Sequence, residues 1–308
     1  MRRSSRDERH GHGGVATTNG AGLRPEHARR AWELFEPYHA VVYFASNARA
    51  AYQEAGLKGG WMGYFASRSA AMGAVSAEVV IATFYNFHPQ MVERSIPDAW
   101  KFSSPQRVLE ARMKVADSGL RTGLGALVTS GSIAETAQLA WSAVEAATVA
   151  GRPLFGAHLS LDRPSEPHLS LWLAITCLRE HRGDGHVACL VSNGVDGVEA
   201  NVLMEAAGVI PGEMQRSFRG WSEEEWDAAA DGLRSRGLLD ATGLTAEGAA
   251  LRGRVEERTD ELALQPWIDL GDDVYRTFVD NMRELVASIL DSDALPYPNP
   301  MGLTRTPR

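Results

Sequence analysis

Cysteine is nearly absent: Cys177 and Cys189 are the two in 308 residues. Their spacing fits neither a CxxC pair nor a disulfide framework, so both are expected as reduced core thiols of a cytoplasmic protein. Long apolar runs are missing as well. No uninterrupted apolar segment reaches the roughly 18 residues that cross a bilayer, and the N-terminus lacks the apolar stretch of a secretory signal, so no membrane partner is expected. Positive charge is in deficit, with 31 Lys and Arg against 39 Asp and Glu and a formal net charge of −8. Nucleic acid therefore has no global attraction for the chain and would need a local basic patch. Neither a nucleophile elbow, nor a P-loop, nor a GxGxxG before a helix, nor HExxH is present. Hydrolase, kinase, nucleotide-dependent redox and zincin chemistry thus lack their signatures.

What is there is a hydrophobic content of 44%, enough for a substantial core. Residues 1–23 are rich in Arg, Ser, His and Gly and read as a disordered tail, because they bury too little to offset chain entropy. From Pro25 onward, apolar residues recur at helical spacing and Gly or Pro punctuates the segments, which predicts a mainly α protein. Leu154 to Pro164 reads as a loop. Pro167 opens a helix expected to stop at Gly183, with Val187 to Asn193 as a separate short helix.

The order of elements after Glu36-Pro37-Tyr38-His39 recurs after Glu166-Pro167-His168. A tandem duplication is the expectation, giving two related helical lobes at 24–150 and 151–308. In the last third, Ser222 followed by three glutamates is a helix start, Leu238 to Leu244 reads as a hairpin, and Thr245 caps a further helix.

The run GLRSRGLLDATGLTAEGAALRGRVEERTD, within Trp221 to Leu264, resembles the winged-helix region of MarR-type proteins through Leu244, Thr245 and Gly248. Over nearly the whole chain, EPYHAVVYF, GYFASRSAAMG, EVVIATFYNFHP, LREHRGDGH, RGW, Thr259-Asp260 and PNPMG are together similar to the SalK-like helix-turn-helix family of actinobacteria. That resemblance implies a helical protein whose second lobe carries a degenerate MarR-like winged helix. It also implies a link to specialised metabolism, and by its name DNA binding, but it brings no reaction or catalytic residues.

The residues argue against the DNA-binding expectation. The helix that would enter the major groove, Ser222 to Arg236, carries Glu223, Glu224, Glu225, Asp227 and Asp231 against Arg234 and Arg236, a net −3. The wing at Asp240 to Gly243 has no basic residue.

Chemistry concentrates instead in Leu178 to His186. Glu180, His181, Asp184 and His186 are possible metal ligands, but at a spacing that matches no metal motif, so no metal is assigned. Two readings stay open. Arg179, Glu180, Arg182 and Asp184 could form an ion-pair network closing the helix end, or Arg68, Arg179 and Arg182 could clamp an anionic small molecule. His39, His168, His181 and His186 are the candidate acid–base residues, with hydroxyls from Tyr43, Tyr64 and Tyr85.

The functional expectation is a small-molecule-binding protein, an enzyme of specialised metabolism being one form of it. Its pocket would lie between the lobes and be built from His39, Arg68, His168, Arg179, Glu180, His181, Arg182 and His186; no particular cofactor is indicated. The alternative is a MarR-like, ligand-responsive regulator that binds DNA as a homodimer.

Overall fold

The computed structural model describes residues 22–305. The expected disordered tail therefore lies outside the described residues, apart from its last two. Among the described residues the chain forms fifteen α-helices and one two-stranded hairpin, which makes the protein mainly α as expected.

The first helices are α1 (Pro25–Phe44), α2 (Ala48–Glu54), α3 (Gly60–Ser69), α4 (Ala77–Phe84), α5 (Pro89–Glu93), α6 (Ala99–Phe102), α7 (Pro105–Leu124) and α8 (Gly131–Ala146). Then come α9 (Pro153–Leu159), α10 (Pro167–Ser192), α11 (Gly197–Ala206), α12 (Gly212–Arg219) and α13 (Glu223–Ser235). A hairpin of β1 (Leu239–Asp240) and β2 (Gly243–Leu244) leads into α14 (Ala246–Leu270) and α15 (Asp272–Asp291).

Local chemistry sets many of the boundaries. Ser104 accepts from the Arg107 amide ahead of Pro105, while Asp196 with Glu199 and Ser222 with Glu225 form reciprocal capping boxes. Each satisfies amides that the first helical turn leaves without partners.

Two corrections concern α9 and α10. Leu154 to Leu159 is helical, with Leu154, Phe155 and His158 buried, so most of the expected loop is a packed element. The expected helix end at Gly183 does not exist, because α10 runs unbroken for 26 residues through the charged cluster. Glycine inside a helix costs about 1 kcal/mol relative to alanine. Here α10 is held by neighbours on every side: α1, α7, α8, α9 and α14 all pack against it. Gly185 also serves this packing, since a Cβ there would sit 2.7 Å from the Arg152 guanidinium.

Two hydrophobic clusters result. The larger one, the body, takes Phe35, Tyr38 and Val41 of α1, Leu120 of α7, Trp141 of α8 and Leu171 to Leu178 of α10, together with Trp267 and Phe278 of α14 and α15. It therefore draws side chains from both sides of residue 150. The smaller cluster joins Cys189 and Leu190 at the end of α10 to Val202, Trp226, Leu233, Leu239, Leu251 and Val255. It is the core of a hairpin unit made of α11 to α13, β1, β2 and the first half of α14. Both α10 and α14 run through both clusters and brace them together.

The hairpin sits hard against α14. Leu239 pairs with Leu244 and Asp240 with Gly243, and Thr245 caps α14 by accepting from the Gly248 amide at 3.0 Å. A Cβ on Gly248 would overlap the Leu238 carbonyl oxygen, which is backbone and cannot swing aside. Gly248→Ala is expected to lower stability by about 1–3 kcal/mol through this overlap. Hydrogen exchange should show the loss confined to the hairpin unit; unchanged protection there would refute it.

Candidate functional site

Between the body and the hairpin unit lies a cavity of about 780 Å³. Its wall holds ten aromatic side chains, among them Tyr43, Trp61, Tyr64, Phe87 and Phe218, and reaches the surface where Trp61 and Phe218 are 38% and 39% exposed. Their rings meet edge to face at 6.3 Å. Aromatic walls with a few convergent polar groups are the usual make-up of a ligand site.

The charge of the wall opposes that of the chain. Arg49, Arg68, Arg179, Arg182, Arg219 and Arg252 line it against Glu36, Glu180, Asp184 and Glu256, six cations to four carboxylates, whereas the whole chain carries −8. Arg179, Arg182 and His186 fall at i, i+3 and i+7 of α10 and so share a face.

Glu180 is the hub of the buried charges. It is 3% exposed, and its Oε1 accepts from Arg179 Nη1 at 3.0 Å and lies 3.6 Å from Arg68 Nη2. Burial alone would raise its pKa, but the charges of Arg179 and Arg68 hold it at about 2. Arg179 is otherwise occupied, its Nε donating to both oxygens of Glu36 at 2.9 and 3.0 Å. Arg182 donates to Asp260 at 2.8 Å and Glu256 at 3.5 Å and lies 4.2 Å over the Trp32 ring. Of the ion-pair network expected among Arg179, Glu180, Arg182 and Asp184, only the Arg179–Glu180 pair forms; Arg179 and Arg182 otherwise tie α10 outward to α1 and α14, and no helix end is closed. Asp184 stands apart from these pairs and accepts from the Phe155 amide at 2.9 Å.

Five of the eight candidate residues, Arg68, Arg179, Glu180, Arg182 and His186, line the cavity; His39, His168 and His181 do not. Helix geometry accounts for two of the three. His181 is about 200° around α10 from Arg179, at 100° per residue, and its ring packs on Phe155 of α9. His168 lies three turns earlier, about 16 Å along the axis, where its Nε2 meets Asp117 at 2.6 Å.

His39 is fully buried behind the wall, stacked 5.8 Å from Trp172. Its Nδ1 is 3.0 Å from Thr176 Oγ1, and that hydroxyl spends its only hydrogen on the Trp172 carbonyl at 2.8 Å. Nδ1 must therefore be the protonated nitrogen, and Nε2 accepts from the Tyr43 hydroxyl at 2.9 Å. His39 thus reaches the cavity only through Tyr43.

The same device recurs at His186. Its Nδ1 donates to Thr259 Oγ1 at 3.0 Å while Thr259 donates to the Val255 carbonyl at 2.7 Å. Burial, together with Arg179, Arg112 and Arg68, holds the His39 pKa well below the ordinary imidazole value. Burial does the same to His186, at about 4, with Glu256 opposing and Arg182 reinforcing the shift. Both rings are neutral at pH 7. The Thr259-Asp260 pair of the sequence is thereby explained, since one residue sets the His186 tautomer and the other holds Arg182.

Sequence reasoning missed Arg219 although it named RGW. Arg219 ends α12, its carbonyl accepts from the His88 amide at 2.8 Å, and Gly220 makes the left-handed turn with φ of 81°. Trp221 then donates to the Asn86 carbonyl at 3.0 Å. The backbone is pinned, and the guanidinium lies 4.5 Å over Phe87 in the cavity wall. In PNPMG, Asn299 knits a turn by bonding Pro296, Met301 and Leu303, which sets Pro300 and Met301 in the same wall. Arg112, only 2% exposed, has three nitrogens without hydrogen-bond partners and lies 5.4 Å over Trp172, adding positive potential near Glu180 and His39.

Among the described residues no group of three or more His, Cys, Asp or Glu is arranged to hold a metal ion. No single described helix is long and apolar enough to cross a membrane. Comparison with known proteins finds a family model, described as a helix-turn-helix family, that matches residues 28–296. Neither a curated protein nor a solved structure matches the chain.

Proposed function

Starting from the chain's membership of the helix-turn-helix family, we propose that it is a ligand-binding member whose cavity between body and hairpin unit receives a small molecule. The cavity itself is the observation that supports this reading: about 780 Å³, with a wall of aromatic side chains interspersed with arginines. A drug-sized or smaller molecule fits that volume. A role in specialised metabolism, as a binding protein or an enzyme, is compatible with the Tyr43–His39 pair, which offers a phenol backed by a neutral imidazole acceptor.

Regulation through DNA is the second reading, and the family favours it. Its difficulty is the helix before the hairpin. On α13, Glu223, Glu224, Asp227 and Asp231 are exposed, Arg234 is tied to Asp231 at 2.6 Å, and Arg236 is tied to Glu199 at 2.9 Å. DNA affinity rests on free cations that replace phosphate counterions, and this surface has none to spare.

Two measurements test these readings. Native mass spectrometry of the purified chain is expected to show a retained small molecule, or a thermal shift with one from a metabolite library; no adduct and no shift would remove the ligand reading. Gel retardation on a mixed-sequence duplex is expected to show no complex even at about 50 mM salt. A salt-sensitive complex weakened by Arg234→Ala would instead establish DNA binding.

A further inference from the structure

The arginines of the wall are not equivalent. Arg179 is saturated by Glu36 and Glu180, and Arg182 by Asp260 and Glu256, although the Arg182 Nε is left without a partner. Arg68 is different. It gives one nitrogen to the Tyr64 hydroxyl at 2.9 Å, stands 3.6 Å from an oxygen of Glu180 that Arg179 already holds more closely, and has a buried Nε with no partner. Its residue is 9% exposed, and its guanidinium packs 4.1 Å over Phe84.

Arg219 goes further. Among the described residues it has no carboxylate within ion-pair distance; its one hydrogen bond is a 3.5 Å contact from Nη2 to the Pro300 carbonyl, and its Nε is buried without a partner. Burial and the like charges of Arg68 and Arg179 lower its pKa, with Tyr64 opposing. Arg219 as a whole is half-buried; a guanidinium held partly away from water without a counter-ion is costly, and such groups persist where something else supplies the negative charge.

Resting on the reading of the cavity as a ligand site, we propose that its ligand is an organic anion with a flat aromatic or apolar body. Arg68 and Arg219 receive the anionic group, and Trp61, Tyr64, Phe87 and Phe218 hold the body. Of the three arginines nominated from the sequence, Arg68 keeps that role, and Arg179 and Arg182 then act as positioning residues and do not contact the ligand. The rings form a continuous set in which Trp61 lies 5.6 Å from Tyr64 and 6.3 Å from Phe87 and from Phe218, so a planar body meets an aromatic face from several sides. An anion's charged end then pairs with two guanidiniums whose donors are still open, in surroundings that strengthen such bonds.

The test uses two fluorescent probes that differ in one group: anilinonaphthalene sulfonate, and phenylnaphthylamine, the same ring system without the sulfonate. Each is titrated into the full chain and into its Arg219→Met, Arg68→Met and Trp61→Ala variants. Methionine keeps the packing on Phe87 and Phe84 but removes the charge.

Arg219→Met is expected to weaken the sulfonate probe at least about tenfold and the neutral probe less than about twofold. Equal loss for both probes, or loss for neither, overturns the assignment of the anion to Arg219. Arg68→Met carries the same comparison if Arg219→Met does not fold. Trp61→Ala separates the two levels of the inference. It should weaken both probes, and if neither probe responds to it, or neither binds the unmodified chain, the cavity reading itself fails.

Discussion

Glu180→Ala is expected to remove about 3–5 kcal/mol of folding stability, the cost of leaving buried cations without their counter-charge. Glu180 is the one carboxylate shared by Arg68 and Arg179, and Arg112 adds to the positive potential around it. Removing it leaves Glu36 alone to offset that group. Glu180→Gln keeps the shape and an acceptor for Arg179 Nη1, so its loss should be smaller but still above about 2 kcal/mol, the worth of a charged hydrogen bond. Urea denaturation at pH 7 measures both. A shift below about 1 kcal/mol for Glu180→Ala would mean that water already screens the cluster and that its charges are surface-like.

Acidification from pH 7.5 to 5 is expected to lower stability by upwards of about 3 kcal/mol, a large part of what a domain of ordinary stability possesses. Burial holds His158 at about 4, with Glu180 opposing and Arg112 reinforcing the shift; it holds His181 at about 3, reinforced by Arg152. His186 sits at about 4 and His39 is shifted in the same direction.

In the unfolded chain each of these four imidazoles takes a proton near pH 6.5; in the folded chain His158, His181 and His186 do so only near pH 4 or below, and His39 only well below its ordinary value. Between those limits the unfolded state binds more protons, so the contribution of these groups is complete above about pH 6.5 and is lost as the pH falls toward 4. Asp184 acts in the opposite sense. Burial raises its pKa to about 6, against the hydrogen bond from the Phe155 amide and with Glu180 adding to the rise. Its folded form therefore gains a proton first on acidification, and this offsets about one histidine. The urea midpoint across this range, in unmodified protein and in His158→Asn, checks the account. A flat profile, or a slope unchanged by His158→Asn, would show that the histidines do not carry it.

Much of the helical order was legible because it is local. Ser222 with Glu225, and Thr245, announce helix starts through hydrogen bonds that span three residues, and the structure has both. Gly183 and Gly185 misled for the converse reason. A glycine's helix-breaking tendency is worth about 1 kcal/mol, and five packed neighbours of α10 outweigh it. The helix α15 has no counterpart among the expected elements, although its apolar stripe from Tyr275 to Leu290 follows helical spacing.

The site was half visible. Residue types gathered Arg179, Arg182 and His186 into one short stretch, but that they share a helix face, at i, i+3 and i+7, follows only from α10 running on past Gly183. Which of them is free to meet a ligand is not a property of that stretch either, because Glu36, Glu256 and Asp260 reach α10 from helices far away in sequence and occupy two of its arginines. Arg219 gave the reverse picture. The RGW run contains it without assigning it a role, and only the turn at Gly220 and the contact with His88 bring it into the cavity.

Sequence by itself determined that this protein is helical, where several of its helices begin, and that charge and imidazole gather in the short stretch from Leu178 to His186, since each is a property of residues close together in the chain. Tertiary structure alone decided that the helix is unbroken, that His39 works behind Tyr43, and that Arg219 lines the cavity without a carboxylate while Arg179 and Arg182 are held by theirs. Burial and ion pairing are set by what the rest of the chain brings to a residue, and no window of sequence contains that.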